Sequence, residues 1–229
     1  MTTYPKPEKR LVSLETARQW SPADYLIQVK CDGEFQTREL GGGRCVVAGE
    51  WMTARSERML TGRHRELHAK NQAGFFVAFD LIEWRGDDVR HWPAGARWSS
   101  LQGVEMEGYF LPNMCLVDCW YGPDFVDRVL AGGGEGGVAK GWQDPYGPML
   151  AVKQLREYQC IVTQIDHRLS VGIAERVGGV LLDRGRVTLG MNCDKVRVGS
   201  IIRVVAMDVF DSGKLREPRV KAGEWLISY

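Results

Sequence analysis

Lys30, in the run Lys30-Cys31-Asp32-Gly33, is the residue best suited to covalent chemistry in this chain. A lysine amine in a Lys-X-Asp-Gly setting can attack a nucleotide phosphate once it is deprotonated, although a free lysine titrates only near ~10.4. Neighbouring cations and partial desolvation lower that value, and a metal ion neutralises charge on the phosphate oxygens during attack. A site of this kind therefore needs further lysines, at least one carboxylate for the metal and an aromatic side chain for the base, all at strand ends. The chain supplies them in order: Glu50 in Ala48-Gly49-Glu50-Trp51, Phe79 in the apolar run 76–82, Glu135 and Lys140 in Glu135-Gly136-Gly137-Val138-Ala139-Lys140, and Lys153 in Leu150-Ala151-Val152-Lys153. Singly, Glu50 reads as a strand-end acid, Phe79 as a core residue and Lys153 as a snorkelling lysine. Their joint order is what carries the chemistry.

The elements that must position these residues follow from hydrophobic periodicity and turn signals. Residues 11–20 predict a short helix, and 25–29 alternate as a strand that delivers Lys30 at its end. Asp32-Gly33 reads as a turn into a second strand at 34–40. Segments 44–52 and 75–83 read as buried strands, with a basic, helix-like stretch at 55–70 between them. After a middle rich in Pro, Gly and Trp (91–101), strands are expected at 114–120, 138–140 and 149–153, with residues 132–137 as a flexible loop. From about residue 157 the segments 159–165, 178–182, 187–190, 201–209 and 224–227 have the spacing of a small barrel. A domain boundary near 155–158 follows.

At 229 residues the chain has room for two small domains, and its 44% hydrophobic and 26% charged content is that of an ordinary globular protein. No apolar run approaches the ~20 residues of a membrane span, and the start lacks a signal-peptide core, which together place the chain in the cytoplasm with no membrane partner. The six cysteines form no Cys-X-X-Cys pair, so reduced thiols are expected. His64 and His68 stand four apart, but the glutamate between them is out of the zinc-protease order. A net charge of +1 hides an uneven distribution: residues 51–70 carry five Arg or Lys against two acids, whereas 80–127 carry nine acids against Arg85, Arg90 and Arg97. Basic stretches can then face phosphates while the acidic region stays away.

On these motifs, and on Leu215-Arg216-Glu217-Pro218-Arg219 beyond the boundary, the sequence resembles the covalent nucleotidyltransferase superfamily of ATP-dependent DNA ligases, RNA ligases and mRNA capping enzymes. The resemblance runs over residues 25–221. It implies an α+β architecture: a ligase-type nucleotidyltransferase domain of antiparallel sheets with helices (1–156), then a small OB-fold β-barrel (157–229). It implies a monomeric, ATP- and Mg²⁺-dependent ligase that seals nicks in duplex DNA through lysyl-AMP and DNA-adenylate. In that scheme Lys30 forms the phosphoramide, Glu50 holds the ribose hydroxyls, Phe79 stacks on adenine, Glu135 serves the metal, and Lys140 and Lys153 bind the α-phosphate. Gln28 would join them in the nucleotide site. Arg216, Arg219 and Lys221 would orient the pyrophosphate, while Arg38, Arg55, Arg58 and Arg63 would face the nucleic acid.

The sequence also departs from the family pattern. Phe35 stands where an arginine is usual, with Arg38 as the nearest substitute; Gln28 replaces an acid, and Ala151 replaces the first of two paired lysines. The stretch between Gly33 and Glu50 is short for the family. Two other readings therefore stand beside the DNA ligase. One is an RNA ligase or another polynucleotide nucleotidyltransferase, with a capping enzyme using GTP. The other is a non-catalytic nucleic-acid-binding module that keeps the fold.

Overall fold

A computed structural model of the protein describes residues 4–53, 74–119, 124–131, 134–166, 170–189, 195–210, 212–221 and 226–228. The chain divides into two compact units, Met1–Lys153 and Gln154–Tyr229.

The first unit is built on two sheets. One has the order β1-β9-β8-β2, from Lys9–Leu11 (β1), Tyr25–Val29 (β2), Gly136–Gly141 (β8) and Met149–Lys153 (β9). The other runs β3-β4-β5-β6, from Glu34–Leu40, Cys45–Met52, Phe75–Trp84 and Asp87–Asp88, with Met114–Leu116 (β7) parallel to β5. Asp32-Gly33 is thus not a hairpin turn, because β2 and β3 belong to different sheets. The backbone at the end of β2 is already engaged: Val29 N–H donates to Asp118 O and Lys30 N–H to Gly136 O, each at 3.0 Å. The chain can only cross over. Gly33 permits the crossing, since a Cβ there would lie 2.5 Å from the Trp51 carbonyl oxygen.

The main core joins β4, β5 and β7 to the helix Ala94–Met106, whose Trp98, Leu101 and Val104 are buried with Val47, Phe75, Phe76 and Leu81. This helix begins in the middle rich in Pro, Gly and Trp, where the sequence predicts no element. Pro93 supplies its N-cap, and proline is tolerated at a helix start because it deletes only an N–H that has no intrahelical partner. The buried positions 94, 97, 98, 101 and 104 have helical spacing, which Gly95, Gly103 and Pro93 disguise in the sequence. The expected helix at 11–20 shrinks to Leu14–Ala17, capped by the Ser13 hydroxyl.

The second unit is a sheet of order β12-β11-β10-β13-β14, with β15 on β13 and every pairing antiparallel. Its strands are Arg156–Ile165 (β10), Ser170–Val177 (β11), Val180–Thr188 (β12), Ile201–Ala206 (β13), Arg219–Val220 (β14) and Leu226–Ser228 (β15). Cys160, Val162, Val171, Ile173, Ile202 and Val204 form its core. The two segments expected at 178–182 and 187–190 prove to be one strand, β12. Gly178 and Gly179 both have positive φ and make the two-residue turn from β11, so Gly178 punctuates the strands and begins neither. Among the described residues the ladder stays open between β12 and β14, although Leu215 N–H donates to Arg184 O at 3.0 Å between those ends.

Candidate active site

The crossover after β2 leaves Lys30 almost enclosed, with 7% of its side chain exposed. Its Nζ lies 2.5 Å from Glu135 Oε1, and Lys153 Nζ reaches the same oxygen at 2.9 Å. Glu135 is held beside them by the backbone at Gly136, whose positive φ and close approach to the Val152 carbonyl leave no room for a Cβ. Burial pushes the Lys30 amine below the ordinary lysine range; Glu135 resists this, and Lys9 and Lys153 add to it. The second carboxylate oxygen of Glu135 is buried without a hydrogen-bond partner among the described residues.

A second charged cluster forms at Phe79. On β5 the register to β4 passes from Ala78 opposite Gly49 to Asp80 opposite Ala48, so Phe79 is the extra residue of a β-bulge. A bulge re-aims its side chain and frees its carbonyl from the ladder. The Phe79 carbonyl accepts from Lys140 Nζ (2.9 Å) and Gln28 Nε2 (3.1 Å), and the ammonium stands 5.0 Å from the ring centroid. Lys140 also pairs with Asp80 Oδ2 at 3.0 Å, while Arg97 Nε and Nη2 donate to the two Asp80 oxygens at 2.8 and 3.2 Å. Asp80, Arg97 and Lys140 are all buried. Burial alone would raise the Asp80 carboxyl, but Lys140 and Arg97 together hold it below the usual carboxylate range. Lys140 is pushed down because burial and Arg97 outweigh its one anion. The opposite signs that an exposed pair would show are absent because burial outweighs the attraction at Lys140 and two cations share one carboxylate.

Glu50 completes the cleft. Its Oε2 accepts the Gly33 N–H at 2.8 Å and its Oε1 faces Lys9 Nζ at 3.3 Å. Gly49 precedes it because a side chain there would strike the Phe76 ring and the Val77 carbonyl of β5. Lys9, Gln28, Lys30, Glu50, Phe79 and Lys140 line one narrow cleft, so residues far apart in sequence converge on it from both sheets. It is a cleft of buried lysines with carboxylates and one aromatic face, suited to an anionic ligand that carries a planar group.

No protein-family model matches the sequence, and no curated protein matches it either. Among solved structures the chain is similar to one from a structure–function study of Lig E DNA ligases, described as DNA binding with a minimal scaffold. That likeness has a TM-score of 0.70 at 15% identity and covers 98% of this chain and 100% of the other. The ligase domain of LigD from M. tuberculosis is also similar, with a TM-score of 0.52 at 13% identity over 96% of this chain and 93% of that one. The chain shares the fold of these DNA ligases. At such identities the likeness is one of fold, and the side chains of the cleft must carry the chemistry.

Six of the expected nucleotide-site residues, Gln28, Lys30, Glu50, Phe79, Lys140 and Lys153, are brought together with Glu135 in this fold. Glu135 also fits a bound magnesium ion: its unpartnered buried oxygen is a hard donor, and Mg²⁺ takes one or two carboxylates with water and phosphate oxygens. No group of three or more acidic, histidine or cysteine ligands occurs among the described residues. Arg38 is a different matter. Strand β3 pairs with β4 without a bulge, so Phe35 turns toward Phe79 (ring centroids 6.3 Å apart) while Arg38 stacks 5.3 Å from Trp51 and 5.7 Å from Phe76 on the other face. Arg38 does not take the place of the arginine that Phe35 replaces. Arg55, Arg58 and Arg63, and the helix-like stretch containing them, lie outside the described residues. Arg216, Arg219 and Lys221 belong to the second unit, where Arg219 faces Glu217 (3.6 Å) and Lys221 pairs with Glu157 (2.6 Å).

Sequence reasoning does not single out Lys9, Asp80 or Arg97. Asp80 is the one charged residue of the otherwise apolar run 76–82, and Arg97 is a rare cation in an acidic stretch, so both leave a weak signal. Lys9 leaves none. No described helix is long and apolar enough to cross a membrane.

Proposed function

We propose that this protein is an ATP-dependent DNA ligase that seals nicks in duplex DNA through a covalent lysyl-AMP. The observation that carries the reading is the enclosed Lys30 amine sharing one Glu135 oxygen with Lys153, beside Lys140 and the Phe79 ring, in a chain with a DNA ligase fold. Lys30 Nζ attacks the α-phosphorus of ATP; an N–P bond forms, the bond to the bridging oxygen breaks, and pyrophosphate leaves. Glu135 Oε1 is the nearest acceptor for the amine's proton. Lys153 and Lys140 stabilise the negative charge on the phosphoryl oxygens, Phe79 and Gln28 border the adenine, and Glu50 accepts from the ribose hydroxyls. Glu135, through its unpartnered oxygen, would hold a magnesium ion, which would supply charge neutralisation on the polyphosphate.

The adenylate then passes to the 5′-phosphate at the nick, and the 3′-hydroxyl displaces AMP. The second unit is read as an OB-type domain, with Arg216, Arg219 and Lys221 orienting the pyrophosphate. The two domains correspond to the units Met1–Lys153 and Gln154–Tyr229, so the division falls three residues before the expected 156/157 and leaves strand β10 whole; the protein acts as a monomer in the cytoplasm. Incubation with α-labelled ATP and Mg²⁺, followed by a denaturing gel, should show label on the wild type and none on Lys30→Ala. Absence of label on the wild type, or label that survives the substitution, would overturn the reading. Matched nicked DNA and RNA duplexes then distinguish the substrate, with DNA sealed faster.

A further inference from the structure

The cleft lies between the two sheets of the first unit, and residues 4–12 run across both. The Tyr4 hydroxyl donates to Glu83 on β5, and the Lys6 ammonium lies 5.9 Å from the Phe35 ring centroid on β3. The arm then joins the other sheet, where Lys9–Leu11 pair with β9, Met149 N–H donates to Glu8 O (3.0 Å) and Val12 N–H to Ala151 O (2.9 Å). At the point of crossing, Lys9 sends its ammonium back over the cleft to Glu50 on β4.

We propose that Lys9 is a positioning residue for the nucleotide sugar, acting through its ion pair with Glu50. The assignment rests on the nucleotidyl-transfer reading of the cleft. A carboxylate has about four acceptor sites. Gly33 N–H and Lys9 occupy one on each oxygen of Glu50, which fixes the plane of the carboxylate and leaves one site per oxygen for a pair of adjacent hydroxyls. A ribose offers such a pair, whereas a deoxyribose does not. Without Lys9 the carboxylate keeps one anchor, Gly33, and can turn about it. The Lys9 side chain is 20% exposed and comes from an edge strand, so its replacement leaves both cores intact.

Calorimetric titration of the full chain with ATP, 2′-deoxy-ATP and 3′-deoxy-ATP tests this, with EDTA present so that binding is read without turnover. In Lys9→Met, ATP should bind roughly fivefold more weakly, as expected for one charge-assisted hydrogen bond made less well, while the deoxy analogues change little. Lys9→Arg should restore most of the preference for ATP. Equal weakening of all three ligands in Lys9→Met would show that Lys9 contributes only charge, and unchanged binding would show no contribution; either overturns the assignment. Wild-type protein that bound none of them in EDTA and took no label from ATP with Mg²⁺ restored would overturn the nucleotide reading itself and this assignment with it. An unchanged preference in Lys9→Met, with normal wild-type binding, would overturn the assignment alone.

Discussion

The two buried lysine clusters contain the same kinds of group in opposite arrangements. At Glu135, Lys30 and Lys153 meet on a single carboxylate oxygen and the other oxygen has no partner among the described residues. At Asp80, Arg97 and Lys140 occupy both oxygens, and Lys140 gains a further acceptor in the Phe79 carbonyl. The first cluster keeps one unpartnered carboxylate oxygen, whereas both oxygens of the second are occupied. The two clusters therefore differ less in burial than in how completely the shared carboxylate is satisfied.

Breaking each counter-ion tests this contrast most severely. Asp80→Asn strands Arg97 and Lys140 as buried cations, and should lower the unfolding free energy by about 3–5 kcal/mol. Glu135→Gln should cost roughly 1–2 kcal/mol, because the Lys30 amine already titrates below the ordinary range and can release its proton, and Lys153 keeps 14% of its side chain exposed. Urea unfolding of both variants checks the order, and equal losses would erase the distinction. Activity should show the reverse pattern per unit of stability lost, with Glu135→Gln abolishing adenylation while the fold survives.

A pH series sharpens the comparison with smaller effects. Because the Lys30 amine titrates below the ordinary lysine value, its neutral fraction and the adenylation rate should rise with pH through that lowered value and level off before ~10.5. Between the lowered folded value and the ordinary one, the unfolded chain binds more protons at Lys30 and Lys140, so their burial penalty fades and stability rises with pH. Asp80 acts at the acid end. Its folded value lies below the ordinary one, so its contribution is complete above the usual carboxylate pKa and disappears as pH falls through the lowered value. Unfolding midpoints across the acid range should drop for the wild type and vary less for Asp80→Asn.

The smallest effect is expected on the far face of β3. Arg38→Ala should cost about 0.5–1 kcal/mol from lost stacking on Trp51 and Phe76, with nucleotide binding within about twofold of wild type. A tenfold loss of ATP affinity would mean that Arg38 reaches the cleft, contrary to its strand register.

Much of the site is legible in the sequence, because a strand end, a glycine and a charged residue leave a local pattern. Lys30, Glu50, Phe79, Lys140 and Lys153 follow or close short apolar runs, whereas Glu135 stands among glycines just before one. The helix Ala94–Met106 is not legible, since Pro93, Gly95 and Gly103 break the pattern that its buried residues make. Strand β11 is hidden for a similar reason, as Gly172, Ala174 and the Gly178-Gly179 turn mask its alternation. Lys9 and Arg97 reach their partners across 41 and 17 residues, and no local spacing encodes such contacts.

The sequence by itself determined which residues can do chemistry: one lysine in a Lys-X-Asp-Gly setting, further lysines, carboxylates and an aromatic in a fixed order. It also determined several strands, because a two-residue hydrophobic period is written locally. Only the tertiary structure decided that β2 and β3 part into different sheets, that a bulge turns Phe79 and its carbonyl toward Gln28 and Lys140, and that Glu135 serves two lysines while Asp80 is saturated. These outcomes depend on close approaches between distant segments, such as Gly33 against Trp51 and Gly136 against Val152. Steric exclusion of that kind acts between surfaces that meet only after the chain has folded.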